Sequence, residues 1–330
     1  MIDRRRFIGC AAAGLLGSPF GVLAQQPGRI YRLGVLSQGA RPTLDSGLTQ
    51  LIATHLREAG FVDGQNLVVD SRFGEGRPGR VLELARELAQ SKPDVIAAIG
   101  TSAIQAGKLA TTTIPIVFLT NGDPIAMGLV PSLARPGGNI TGILIAPGGS
   151  LAGKKLELLR ELVPKARRIA FLVPDDPDTG FRRQREEVQE AAVALGVELI
   201  VGFVKGGDYA GAFATIGASR PAGLLVGAHS SFLRERRQII ALAARYKLPA
   251  IYEWPQHVKD GGLMSYGASD TETYRRVAVY VERILKGAKP SELPIEQPSK
   301  LLFVFNRTTA KALGIATPQS LLLRADEVIE

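Results

Sequence analysis

From residue 31 onward, short runs rich in β-branched and aliphatic residues alternate with stretches of helical period, and this cadence runs twice along the chain. The first pass places strands at 31–37, 67–73, 95–100 and 116–120, with helices at 44–59, 80–90 and 103–110 between them. The second places strands at 169–173, 198–203, 223–226 and 250–252, with helices at 181–195, 209–218 and 232–246. Runs such as Val95-Ile96-Ala97-Ala98-Ile99 carry no polar face, so helices must cover them on both sides, as in a parallel sheet. The expected fold class is α/β, with two doubly wound parallel-sheet lobes.

Three places dense in Gly and Pro interrupt the cadence: 134–142, 261–267 and 288–298. Each is followed by a new strand or helix, at 143–145, 273–286 and 301–305, so each reads as a crossing between lobes. Three crossings make a multi-strand hinge. The expected division is 27–140 plus about 268–290 for lobe 1, and 141–267 plus about 298–330 for lobe 2. In open α/β sheets ligands bind outside the carboxyl ends of the strands, here in the cleft between lobes.

The leader fixes the compartment in which this fold is expected to work. Arg4-Arg5-Arg6-Phe7-Ile8 precedes an apolar run from Gly9 to Leu23, and Val22-Leu23-Ala24 forms a small-residue cleavage signal before Gln25. This is the tripartite pattern of an export signal, with residues 1–26 as the signal peptide cleaved near Ala24. The double arginine also resembles the twin-arginine variant, although Gly9 stands where a lysine is often seen, so both the twin-arginine and Sec routes stay open. A spanning helix needs ~20 apolar residues, and this run is shorter and broken by Gly14, Gly17, Pro19 and Gly21. The single cysteine, Cys10, lies inside the leader and ahead of most of the apolar run, which argues against lipid anchoring. The expected product is periplasmic, without disulfides, held by ordinary hydrophobic cores over roughly 300 residues.

Charge excludes less than its sign implies. The chain has 40 Lys+Arg against 31 Asp+Glu; without the leader's Arg4, Arg5, Arg6 and Asp3 the balance is 37 against 30, a net +7. Basic residues are scattered, and the densest run, Arg234-Glu235-Arg236-Arg237, contains an acid. A solvated helix face explains that pattern better than a nucleic-acid patch. No nucleic-acid partner is expected.

No catalytic constellation is visible. Gly74-Glu75-Gly76-Arg77-Pro78-Gly79 matches G-x-G-x-x-G, but after the second strand, and Arg77 and Pro78 stand where a cofactor phosphate needs small residues. A turn is the better account. His55, His229 and His257 lack the close spacing of metal ligands, and neither a Gly-x-Ser-x-Gly elbow nor a Walker loop occurs. No cofactor, no metal and no enzymatic activity are expected.

What recurs instead is a polar group after each strand: Ser37 and Gln38, Thr101 and Ser102, Asn121 and Asp123 in the first half, and Asp175 and Asp176, His229, Tyr252 and Glu253 in the second. Thr101 and Ser102 are the sharpest case, because hydroxyls beside free N–H groups at a helix start suit a carboxylate or phosphate. Plain helix capping is the competing account on position alone. Tyr252, Trp254 and Tyr266 are the aromatic candidates for stacking on a ligand.

Four segments together resemble the ABC-transporter substrate-binding family, whose characterised members include tryptophan- and tyrosine-binding proteins. They are the leader from Arg4 to Gln26, Gly122-Asp123-Pro124 with 132–142, Gly261-Gly262-Leu263-Met264-Ser265-Tyr266-Gly267, and 322–329. The resemblance runs through essentially the whole chain after the leader. It implies a type I periplasmic-binding-protein fold, a monomer without catalysis, and delivery of a small solute to a membrane permease. Pro174-Asp175-Asp176-Pro177 stands where many relatives carry an Asn-Pro loop, a departure that bears on ligand identity. Amino-acid-like or aromatic carboxylates are the expected ligands. Two other classes share the scaffold: an exported enzyme, and a sugar-responsive transcription regulator, which needs a DNA-binding module where the leader stands.

Overall fold

The computed structural model describes residues 28–39, 48–75, 77–146, 151–175, 179–298 and 300–330. The leader with Arg4-Arg5-Arg6, Cys10 and Ala24 lies outside the described residues, as does Asp176.

The first lobe is a five-stranded, wholly parallel sheet in the order β2-β1-β3-β4-β5. Its strands are β1 (Tyr31–Ser37), β2 (Leu67–Phe73), β3 (Val95–Ile99), β4 (Ile116–Thr120) and β5 (Ile140–Leu144). The helices α1 (Leu48–Glu58), α2 (Pro78–Gln90) and α3 (Thr101–Ala110) join them. Side chains alternate across a strand. Leu33, Val35, Val95, Ala97, Val117 and Leu119 face one way, into a core shared with α1. Leu36, Ile96, Ala98 and Phe118 face the other way, into a core with α2 and α3. This is why these strands read as unbroken apolar runs.

The second lobe is a seven-stranded sheet in the order β12-β11-β10-β9-β8-β6-β7. In chain order its elements are α4 (Ala152–Leu162), β6 (Arg168–Pro174), α5 (Thr179–Ala194), β7 (Glu198–Val204), α6 (Tyr209–Ala218), β8 (Leu224–Val226), α7 (Ser230–Arg234) and α8 (Arg236–Arg245). There follow β9 (Ala250–Tyr252), α9 (Pro255–Lys259) and β10 (Met264–Ala268). The chain then returns to the first lobe as α10 (Asp270–Leu285), whose Tyr274, Val277, Tyr280 and Val281 fill the same core as α1. It finishes in the second lobe as β11 (Leu301–Asn306), α11 (Arg307–Ala312), α12 (Gln319–Arg324) and β12 (Glu327–Ile329).

Three sequence expectations are corrected here. Residues 140–144 pair with β4 and belong to the first sheet, so the first crossing falls after Leu144 rather than within 134–142. The second sheet is not wholly parallel, because β11 runs antiparallel to β10 with Ala268 opposite Leu301. The cause is topological: the chain leaves β10 at its carboxyl end and re-enters at that same end, so the next strand must run back. The expected helix at 232–246 is two helices, α7 and α8, separated at Glu235 (φ −90°, ψ 19°). The helices α4, α9, α11 and α12 and the strand β12 had no counterpart in the sequence reading.

The third crossing is bolted to the first lobe before it departs. Glu296 N–H donates to Gly142 O (3.0 Å), Leu144 N–H to Glu296 O (2.8 Å), Ile295 N–H to Leu133 O (2.7 Å), and Thr141 Oγ1 to Leu293 O (2.7 Å). Residues 293–296 therefore extend the first sheet beside β5.

Candidate ligand-binding cleft

The carboxyl ends of both sheets face each other, and the residues just after the strands meet there. Gln38 follows β1 and is buried. Its Oε1 accepts the backbone N–H of Ser102 (3.0 Å), and its Nε2 lies 3.1 Å from His229 Nε2 in the opposite lobe. Gly100, between β3 and α3, makes this possible on two counts: its φ of +91° disfavours side chains, and a β-carbon there would stand 2.5 Å from Gln38 Cδ. After β4, Asn121 Nδ2 donates to Ala228 O across the cleft (3.0 Å). Thr120 Oγ1 accepts from Gly122 N–H (3.0 Å). These groups, with Trp254 after β9 and Tyr274 from α10, line a small cavity of about 40 Å³ between the lobes.

The hydrogen-bond pattern fixes the state of His229. Because Ser102 N–H occupies Gln38 Oε1, the amide NH₂ faces the imidazole, and His229 Nε2 must accept. With Nε2 accepting, Nδ1–H points to Ser231 Oγ at 2.5 Å, and the Ser231 backbone N stands 3.4 Å from the same nitrogen. The Ser231 hydroxyl is in turn bonded to Tyr209. Burial first, and the Arg234 charge second, lower the His229 pKa to about 4, so the imidazole is neutral at physiological pH.

The structure sorts the other sequence candidates by where they point. Ser102 supplies its N–H to Gln38, while Thr101 is buried with Oγ1 3.4 Å from Thr120 Oγ1, one layer behind the cavity. Ser37 Oγ accepts Gly39 N–H (3.2 Å). Asp123 Oδ1 accepts the N–H groups of Ile125 (2.9 Å) and Ala126 (3.2 Å) and so shapes the turn after β4. Asp175 stands exposed at the end of β6, its N–H on Val204 O (3.1 Å).

Tyr252 and Glu253 turn away from the cleft. Tyr252 is buried in the second lobe, stacked on His257 with ring centres 4.6 Å apart, and burial raises its pKa. Glu253 is buried in an ion pair with Lys155 of α4. Tyr266 packs against the core between α4, α5 and the sheet. Trp254 is the cleft aromatic of the three, with His257 stacked behind it at 5.9 Å. The sequence placed Thr120 in the polar group after β4 without making it a ligand contact, and it did not single out the lining residues Ile99, Gly100, Leu119, Ile145, Ala228, Leu233 and Tyr274. Thr120 and Ala228 adjoin recognised positions, but Tyr274 gives no local signal, since the returning crossing alone puts α10 beside the cleft.

Gly74-Glu75 forms a turn at the end of β2. A β-carbon at Gly74 would meet Val81 Cγ2 at 2.2 Å, so helix packing accounts for this glycine. Among the described residues no group of three or more His, Cys, Asp and Glu is placed to hold a metal, and no helix is long and apolar enough to cross a membrane.

This architecture has known counterparts. The chain is 24% identical over 284 residues to a tyrosine-binding protein of Clostridioides difficile (strain R20291), covering 86% of this chain and 81% of that protein. It superposes with a TM-score of 0.78 and 26% identity on the ABC domain in complex with L-Trp from Streptococcus pneumonia, over 91% of this chain and 100% of that one. A conserved domain protein from Vibrio cholerae gives a TM-score of 0.79 at 26% identity, over 90% and 99% of the two chains. The model of the ABC transporter substrate binding protein family matches residues 36–329, nearly the whole of the two-lobed region, and the chain belongs to that family.

Proposed function

We propose that this substrate-binding protein captures an amino-acid-like carboxylate, aromatic by preference, and delivers it to its ABC permease as an exported, periplasmic monomer without catalytic activity. The observation that carries this reading is the pair of contacts Gln38–His229 and Asn121–Ala228. Both join polar groups of opposite lobes directly, at the strand ends. A ligand entering there exchanges these contacts for its own, and a ligand held by both lobes shifts the population toward closure. Trp254 and Tyr274 supply flat apolar surface beside these polar groups, which suits an aromatic side chain. The tyrosine-binding relative and the L-Trp complex favour the same class.

Closure is to pivot where the chain passes between the lobes, next to Leu144, Ala268 and Pro298. Export is to remove the leader near Ala24, and nucleic acid plays no part.

The deciding experiment is a calorimetric and thermal-shift screen of the mature protein against the amino acids, aromatic acids and a set of sugars and nucleosides. Binding to the native state raises apparent stability by mass action. L-tryptophan or L-tyrosine is expected to bind most tightly. A response confined to sugars or nucleosides would overturn the ligand class, and mass spectrometry of the exported protein checks for a start at Gln25.

A further inference from the structure

All three crossings between the lobes border one cavity of about 550 Å³ at the hinge. Leu144 stands at the first crossing, Ala268 and Ser269 at the second, Glu296 to Pro298 at the third. None of its lining residues is shared with the cleft cavity described above. The volume falls in the range of small-molecule sites, and both lobes supply apolar wall, Ile143 and Leu144 from the first sheet, Leu302 from the second.

The charged groups of this cavity differ in how far their partners engage them. Glu296 is filled: it accepts from Arg276 through Nε (2.6 Å) and Nη2 and from Tyr280 Oη (3.0 Å). Glu272 is held by Arg275 through Nε (2.7 Å) and Nη2 (2.6 Å). On the donor side, Arg276 Nη1 bonds no described residue, and the Lys300 ammonium stands 3.6 Å from Asp326, beyond a hydrogen bond. Each carboxylate is already engaged by an arginine, while Arg276 keeps Nη1 without a described partner and Lys300 is held only by its longer pair with Asp326. Such a rim on an apolar wall selects an anion with an apolar body.

We propose that the hinge cavity is a second small-molecule site, separate from the cleft, that takes a small apolar monocarboxylate on Ile143, Leu144 and Leu302 with its carboxylate at Arg276 and Lys300. A molecule lodged there touches every covalent link between the lobes. Its affinity therefore differs between open and closed forms, and by linkage it changes the affinity of the cleft by the same factor.

Benzoate is the probe, with benzamide as its neutral isostere, titrated into the mature protein by calorimetry and by methyl NMR. Benzoate is expected to shift the methyl signals of Ile143 and Leu302 while leaving the Trp254 indole N–H in place. Benzamide is expected to bind at least ~10-fold more weakly for want of the charge. Lys300 is 71% exposed, so Lys300→Glu leaves the fold intact; it is expected to weaken benzoate at least ~10-fold. Absence of millimolar binding, shifts at Trp254 in place of Ile143, or equal affinity of the Lys300→Glu variant would each overturn the site. Benzoate belongs to the class proposed for the cleft, and the Trp254 signal reports it there while Ile143 and Leu302 report the hinge, so the two readings fail separately.

Discussion

The two lobes bury different kinds of polar group. Among the described residues the first lobe buries only neutral ones: Gln38, Thr101, Thr120, Thr141 and, on α10, Thr273. The second buries ions, Lys155, Glu253 and Arg236, together with His257, Ser265 and Asn306. The difference follows from what lies beneath each cleft edge. In the first lobe, strand-end groups lean on backbone N–H groups, as Gln38 does on Ser102. In the second, they rest on a buried layer in which Glu253 locks α4 to the end of β9 and His257 lies between the rings of Tyr252 and Trp254. The first lobe presents mainly small hydrogen-bonding groups, with Tyr274 beside them; the second presents Trp254 backed by the buried layer, with His229 as its hydrogen-bonding partner.

The sharpest way to break this comparison is to unpair the buried ions. Lys155→Met leaves Glu253 buried without its partner and is expected to cost about 3–5 kcal/mol. The double variant Lys155→Met, Glu253→Gln removes both charges and is expected to recover most of that loss. Urea denaturation of the three proteins measures it. A single variant as stable as the parent would mean that the second lobe does not depend on its ionic base.

Acid sharpens the same contrast, because the group that joins the lobes titrates. The His229 pKa is lowered from the ordinary histidine value of 6.5 to about 4, so the unfolded chain binds this proton more readily than the folded one. The contribution is fully present above pH 6.5 and is lost as the pH falls through about 4, worth on the order of 3 kcal/mol in all. Protonation also turns Nε2 into a donor facing the Gln38 NH₂, which breaks the interlobe contact. His229→Gln keeps an acceptor but cannot titrate, so its stability is expected to fall less between pH 7 and pH 4. His257, lowered to about 3 by burial, remains in both proteins and cancels in the difference. Parallel curves would show that His229 does not carry the effect.

How much of this was legible in the sequence also divides by lobe. The strands β1 and β4 coincide with the expected 31–37 and 116–120 because continuous apolar runs between turn residues have one reading in a doubly covered sheet, and β2, the polar edge strand with Asp70, Ser71 and Arg72, coincides with 67–73. The lobe boundary was displaced because the Gly-Pro cluster at 134–142 marks a turn before β5, not the crossing. A helix at 152–162 went unread, although Leu156, Leu159 and Leu162 have helical spacing, since two lysines at its start disguise the buried Lys155. At the site, position after a strand located Gln38, Asn121 and His229 in the cleft. Tyr252 and Glu253, chosen by the same rule, do not line that cavity. Position gives the end of the sheet; it does not say which way a side chain turns, and in the second lobe the choice is made by Lys155, which is remote in sequence, and by His257, which stacks on Tyr252 only once α9 has folded back.

The smallest expected effects separate the helix start from the amide it holds. Thr101 Oγ1 touches Thr120 Oγ1 at 3.4 Å and lies behind the cavity, so Thr101→Ala is expected to cost about 1 kcal/mol of stability with little change in affinity. Ser102 contributes through its backbone N–H, which Ser102→Ala retains, and its affinity is expected to match the parent's. Gln38→Ala and Asn121→Ala remove side chains that reach the opposite lobe, and each is expected to weaken ligand binding about 10-fold. Calorimetry with the best ligand of the screen, beside the melting temperature of each ligand-free variant, tells these apart. Should Thr101→Ala lower affinity as much as Gln38→Ala does, the hydroxyl reaches the ligand directly. The first lobe would then read its ligand from the start of α3 and not from the loop after β1, and the contrast between a lobe of exchangeable amides and a lobe of braced aromatics would have to be redrawn around that helix.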